Sequence, residues 1–98
     1  MSASHFEALE VVYEQAVASM PDIFDSHMFI LKLAQEYQRL YVQALIEYAE
    51  NDQPFQSVHS EIAKRLKKRE DLVQQIGSKP STNIFGLKSE AAVWRKVR

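Results

Sequence analysis

The segment from residue 26 to residue 50 constrains the fold more than any other part of the chain. Asp25 or Ser26 can cap its start, and apolar residues then recur at helical spacing over its full length. A helix that is apolar over so wide an arc is covered on more than one side. We therefore expect one long central helix against which the other elements pack. Its main face consists of Phe29, Ile30, Leu33, Ala34, Tyr37, Leu40, Tyr41, Ala44, Leu45 and Tyr48, and it is widened by Leu31, Val42, Ile46 and Ala49.

Shorter segments on both sides also show helical spacing or helix-boundary signals. Pro21 ends the first of them, Pro54 suits the first turn of another, and Gly77 is a typical stop. No segment shows the alternation of a half-buried strand. The sequence therefore predicts an all-α fold, with a single domain over residues 1–98 and four to five helices in all. The further helices are expected at about 4–20, 54–68, 70–76 and 90–97.

The stretch EIAKRLKKREDLVQQIG, residues 61–77, resembles a helix-turn-helix in outline. Its apolar positions fit two helices packed across a tight turn, so we expect such a pair at about 54–76. Two features depart from the motif. The turn carries Lys67 and Lys68 instead of a glycine and an apolar residue, and the second helix opens on Glu70 and Asp71, whose carboxylates repel phosphates.

Charge is divided unevenly along the chain. Residues 1–60 carry a net charge of −7 and residues 61–98 a net charge of +6, which leaves −1 overall. Such asymmetry is typical of proteins that bind an anionic partner with the basic end or that pair unlike ends. The alternatives are that the acidic half folds against the basic half, or that the lysines form a solvated helix face. The candidate nucleic-acid-binding residues are Lys64, Arg65, Lys67, Lys68, Arg69, Arg95 and Lys96.

Other classes of protein are disfavoured. The chain has no cysteine, which excludes disulfides and thiolate metal sites and suits the cytoplasm. Its first residues lack the basic start of a signal peptide, and its longest apolar run, MFILKLA, is far shorter than a membrane span. His5, His27 and His59 show no metal-ligand spacing. We therefore expect no cofactor, no metal, no membrane association and no enzyme activity.

Two functional hypotheses follow. The first is a non-enzymatic cytoplasmic interaction or adaptor module that binds a protein or a second copy of itself, through Leu31, Val42, Ile46 and Trp94. Trp94 has the alternative role of anchoring the last helix to the core. The second hypothesis is nucleic-acid binding by the basic helix 61–69 and the basic C-terminal tail. A third, weaker one is a small-ligand pocket lined by Tyr37, Tyr41 and Tyr48.

Overall fold

The structure is a computed structural model that describes residues 5–97 of the chain, and the side chains from Phe6 onward. Within that range it contains five helices and three strands, so the prediction of an all-α fold is wrong. The elements, in chain order, are α1 (His5–Val11), α2 (Tyr13–Ala18), β1 (Ile23–Asp25), α3 (Ser26–Glu36), α4 (Gln38–Ile46), α5 (Pro54–Lys67), β2 (Val73–Thr82) and β3 (Lys88–Lys96).

The predicted central helix is divided at Tyr37. This residue has φ −129° and ψ 50°, outside the helical region, and therefore ends α3 and begins α4. The backbone hydrogen bonds continue across the break, because the Tyr37 N–H donates to the Leu33 carbonyl and the Tyr37 carbonyl accepts from the Tyr41 N–H. Asp25 caps α3, since its carboxylate accepts from the Met28 N–H at 2.9 Å. Both helices contact α5, but their other neighbours differ: α3 also contacts α2, β1 and β3, whereas α4 also contacts α1.

The C-terminal third is a β-hairpin. Its strands β2 and β3 pair antiparallel from Val73 opposite Lys96 to Thr82 opposite Lys88, with a register shift between Gln75 and Gly77. Strand β1 pairs antiparallel with the other side of β3, so β3 is the central strand and the order is β1-β3-β2. The predicted helices at 70–76 and 90–97 are therefore wrong, and the helix-turn-helix pair at 54–76 is absent because its second half belongs to β2.

The core lies between the sheet and the helices. Phe24 of β1 stands opposite Trp94 of β3, and both side chains are buried together with Phe29 of α3 and Leu66 of α5. Tyr13 of α2 is fully buried and donates its hydroxyl hydrogen to the Ile62 carbonyl of α5 at 3.0 Å. Among the described residues, no buried polar side-chain atom lacks a hydrogen-bond partner. The core thus joins the acidic N-terminal half to the basic C-terminal half.

Candidate nucleic-acid interface

Three of the seven predicted nucleic-acid-binding residues make contacts inside the protein, beginning with Arg65. Its Nε donates to Glu61 at 2.8 Å, and its Nη1 donates to Glu10 of α1 at 3.2 Å. The guanidinium carbon also lies 4.8 Å from the ring centroid of Phe6, a cation–π distance. Burial alone would lower the pKa of Arg65, but the hydrogen bonds to both carboxylates raise it. Arg65 therefore connects α5 to α1.

Arg69 and Lys96 are also engaged. Arg69 forms two parallel hydrogen bonds of 3.0 Å with the carboxylate of Asp71. Lys96 donates to the carbonyls of Ala18 and Met20, at 3.2 and 2.8 Å, just beyond the end of α2. A cation at that position offsets the partial negative charge of a helix C-terminus. The Arg65–Glu10 ion pair therefore joins the basic half of the chain to the acidic half, whereas Arg69 pairs within the basic half and Lys96 binds uncharged carbonyls.

The other four predicted residues are exposed. Lys64 is 3.9 Å from Glu61, a distance at the limit of an ion pair, and its side chain is largely in solvent. Within residues 5–97, no hydrogen bond or ion pair is found for the side chains of Lys67, Lys68 or Arg95. Lys64, Lys67 and Lys68 lie together at the C-terminal end of α5. Arg95 follows Trp94 in β3, so its side chain lies on the other face of the sheet from the Trp94 side chain.

One face of α5 borders the hairpin. Gln56, Ser60, Ala63 and Lys67 are spaced by four, seven and eleven residues from the first, so they share that face. Two hollows lie along this face, and we call the two together the α5–hairpin groove. The first, about 420 Å³, is bounded by α5, the start of α3 and the hairpin. The second, about 460 Å³, is lined by Lys67, Glu70, Val73, Gln74, Gln75 and Val97.

The polar groups of the groove are mostly neutral. Amides and hydroxyls both donate and accept hydrogen bonds, which suits contacts to phosphates, sugars and base edges. Two carboxylates also line the groove, those of Glu70 and Glu90, and the Ser78 hydroxyl donates to the second of them at 3.2 Å. The amide and hydroxyl side chains that line the groove are those of Ser26, Gln56, Ser60, Gln74, Gln75, Asn83 and Ser89.

Two histidines face the first hollow. His27 shares a hydrogen bond of 2.8 Å between its Nδ1 and the Ser81 hydroxyl of β2. His59 of α5 shares one of 2.6 Å between its Nε2 and the Tyr41 hydroxyl. Burial lowers the pKa of His59 to about 4, with a smaller contribution from His27, and burial raises the pKa of Tyr41 to about 12. The imidazole is therefore uncharged at neutral pH, and the tautomer of His59 decides which of the two groups donates in this hydrogen bond.

Aromatic rings surround His59 at the edge of this hollow. The ring of Phe85, from the hairpin turn, is stacked on His59 with centroids 6.0 Å apart and planes 21° apart. Phe55 of α5 meets Phe85 edge-on at 5.0 Å. Both phenylalanines remain exposed, Phe55 by 42% and Phe85 by 52%. Neither phenylalanine was among the predicted site residues. The available signal was an apolar pair, Ile84 and Phe85, placed within the turn of an otherwise polar segment.

The four predicted interface residues have different environments. Val42 and Ile46 lie one turn apart on α4 and are 50% and 61% exposed, and Leu31 of α3 is also exposed. Trp94 is 2% exposed and lies in the core, where it anchors strand β3 and not the last helix that the sequence predicted. The tyrosines proposed as a pocket lining pack against the core, Tyr41 buried and Tyr37 and Tyr48 partly buried.

Comparison with known protein families, curated proteins and solved structures returned no match. In the part of the chain that the structure describes, no helix is long and apolar enough to cross a membrane. Residues 5–97 also contain no cluster of three histidines and carboxylates suited to holding a metal ion.

Proposed function

We propose that this chain is a nucleic-acid-binding protein that uses the exposed face of α5 and the hairpin beside it. The observation that carries the proposal is the position of Lys64, Lys67 and Lys68. These three lysines are exposed, close together and without a strong ion pair, and they adjoin a groove whose polar groups are mostly neutral amides and hydroxyls. Lysines supply the salt-dependent attraction to phosphates, and neutral polar groups supply contacts that do not repel them.

The contacts of Arg65, Arg69 and Lys96 within the protein support a division between structural cations and cations free to bind phosphates. Those three residues neutralise acidic groups and a helix end within the protein. Lys64, Lys67 and Lys68 are then exposed cations grouped at one end of α5, beside the groove. Glu70 and Glu90 restrict the path of a bound strand, since phosphates avoid carboxylates. We expect the phosphates to follow the side of α5 that carries Lys64 and Lys67, while Gln56 and Ser60 face the bases or sugars.

Charge reversal at Lys67 tests the proposal. Binding of fluorescently labelled duplex and single-stranded DNA of mixed sequence is measured by anisotropy at about 50 mM and 200 mM salt, a range over which phosphate contacts weaken strongly. Lys67→Glu should weaken binding at low salt. Arg39→Glu is the matched charge reversal at an exposed position of α4, and it should leave binding nearly unchanged. Absence of binding to both forms at 50 mM salt, or equal weakening by both variants, would contradict the proposal.

Self-association is a second candidate function, favoured by the exposed pair Val42 and Ile46 on α4. Two such helices could bury these side chains against each other in a dimer. Sedimentation at micromolar concentration should then show twice the monomer mass, reduced to the monomer by Ile46→Glu. A monomer at all concentrations would exclude this function. Either function is binding without catalysis, and the absence of cysteine supports our proposal of a cytoplasmic location.

A further inference from the structure

The exposed rings of Phe55 and Phe85 stand at the edge of the first hollow, next to the face of α5 proposed to bind nucleic acid. Exposed aromatic rings forgo the burial that stabilises a core, and these two are close together, 5.0 Å apart. His59 lies within about 6 Å of both. The neutral state of His59 keeps positive charge out of this aromatic cluster at physiological pH. The cluster is therefore uncharged and lies beside a polar hollow, with the Phe55 and Phe85 rings perpendicular to each other and each partly exposed.

The hairpin turn holds Phe85 in a defined position. The Asn83 N–H donates to the Leu87 carbonyl at 2.7 Å, which closes the turn. The side-chain oxygen of Asn83 accepts from the Phe85 and Leu87 N–H groups at 2.9 and 3.1 Å. Gly86, with φ +82°, supplies the left-handed residue that the turn requires. A ring presented by so well bonded a turn loses little conformational entropy when a ligand packs on it.

The distance from this cluster to the lysines suits a short strand. Phe55 and Lys67 are twelve positions apart on α5, so the helix rises by about 18 Å between them. A stacked strand that rises about 3.4 Å per nucleotide, the axial rise of one strand of B-DNA, would span that distance with roughly five nucleotides. Its bases would meet the aromatic rings at one end, and its phosphates would meet Lys64 and Lys67 at the other. The polar side chains of the first hollow, Gln56, Ser60, Asn83 and Ser89, would lie beside the stacked base.

We infer that Phe85, supported by Phe55, stacks on an unpaired base, so that the α5–hairpin groove binds single-stranded nucleic acid in preference to duplex. The inference rests on the proposed function and adds its substrate class. Bases within a duplex have their faces covered by neighbouring bases, whereas unpaired bases expose them. Stacking on aromatic side chains is the common means by which proteins hold single strands.

The test compares three labelled ligands of equal length by anisotropy at about 50 mM salt: single-stranded oligothymidylate, the corresponding duplex, and the same single strand with abasic sites at every position. Abasic sites keep the phosphates and remove the bases. The wild-type protein should bind the single strand most tightly. Phe85→Leu should weaken that binding by about tenfold, in the range measured for one stacked base, and should leave binding to the abasic strand unchanged.

Leu87→Ala is the matched control, because Leu87 is an exposed apolar residue of the same turn without an aromatic ring. It should bind all three ligands as the wild type does. Tighter binding to duplex with no effect of Phe85→Leu would overturn this inference and leave the proposed function standing. Equal weakening of the normal and abasic strands by Phe85→Leu would also overturn it. Failure of the wild type to bind any of the three ligands would overturn both.

Discussion

The indole nitrogen of Trp94 donates a hydrogen bond of 2.9 Å to the hydroxyl of Ser26, and both residues are buried. Trp94 belongs to the central strand β3, and Ser26 is the first residue of α3. The contact joins residues 68 positions apart. It therefore attaches the C-terminal hairpin to the helical part of the core.

Replacing Ser26 with alanine should destabilise the protein. The indole N–H would remain buried without an acceptor, and an unsatisfied buried donor costs about 1–3 kcal/mol. The free energy of unfolding, measured by urea denaturation, should fall by about that amount. Ser19→Ala is the control, because the Ser19 hydroxyl donates to the Ala16 carbonyl at an exposed position, and it should change stability much less. Equal effects of the two substitutions would show that the indole hydrogen bond contributes little.

Arg65→Gln should affect stability more than nucleic-acid binding. The substitution removes the ion pairs with Glu10 and Glu61 and the contact with Phe6. Because these groups are only partly buried, we expect a loss of about 1 kcal/mol, measured by urea denaturation. Lys64→Gln, one residue earlier on the exposed face, should show the opposite pattern, with unchanged stability and weaker binding at low salt. If Arg65→Gln weakened binding as much as Lys64→Gln at equal stability, the structural role of Arg65 would be wrong.

Stability should fall in acid partly through His59. Its pKa is about 4 in the folded protein and near 6.5 when exposed, so between these values the unfolded chain binds a proton that the folded chain excludes. The stabilising contribution is fully present above pH 6.5 and is lost progressively as the pH falls towards 4. Unfolding followed from pH 7.5 to 4.5 should show a steeper loss in the wild type than in His59→Gln. Parallel curves would contradict the pKa shift.

Gly86→Ala should strain the hairpin turn without crowding it. No atom lies within 4 Å of the position that a Cβ would occupy, so the only cost is the left-handed backbone conformation at φ +82°. This conformation costs a non-glycine residue about 1–2 kcal/mol. Gly86→Asn should cost less, since asparagine tolerates that region. Thermal unfolding compared among the wild type and both variants tests this order, and equal melting temperatures would contradict it.

The apolar helix faces could be predicted well from the sequence, because they follow from the spacing of apolar residues within a single segment. Phe6, Leu9 and Tyr13 of the first helical segment are buried as expected, and so are Val58, Ile62 and Leu66 of α5. The break at Tyr37 left no signal in that periodicity, since the hydrophobic pattern continues through it. The division of the long helix thus depends on which neighbours α3 and α4 contact, which a single segment does not encode.

The hairpin was missed for two physical reasons. Residues 74–80 of β2 are exposed on both faces, so their polarity does not alternate as in a half-buried strand. In β3, Glu90, Ala91 and Ala92 are good helix formers, but pairing with β1 and β2 overrides that preference. Of the candidate interface, the sequence identified the exposed lysines. It did not identify Phe55 and Phe85, because they come together only when the hairpin folds back beside α5.

The strand order β1-β3-β2 leaves two open edges on the sheet, and each has a feature that opposes the addition of another chain. Strand β1 has only three residues, too few to pair stably with a further strand. Strand β2 is longer, but Lys79 brings a charge, Pro80 has no N–H, and the register shift after Gln75 interrupts its regular spacing. These features oppose edge-to-edge association of the sheet with that of another molecule, so we expect the chain to resist aggregation through its sheet edges at high protein concentration.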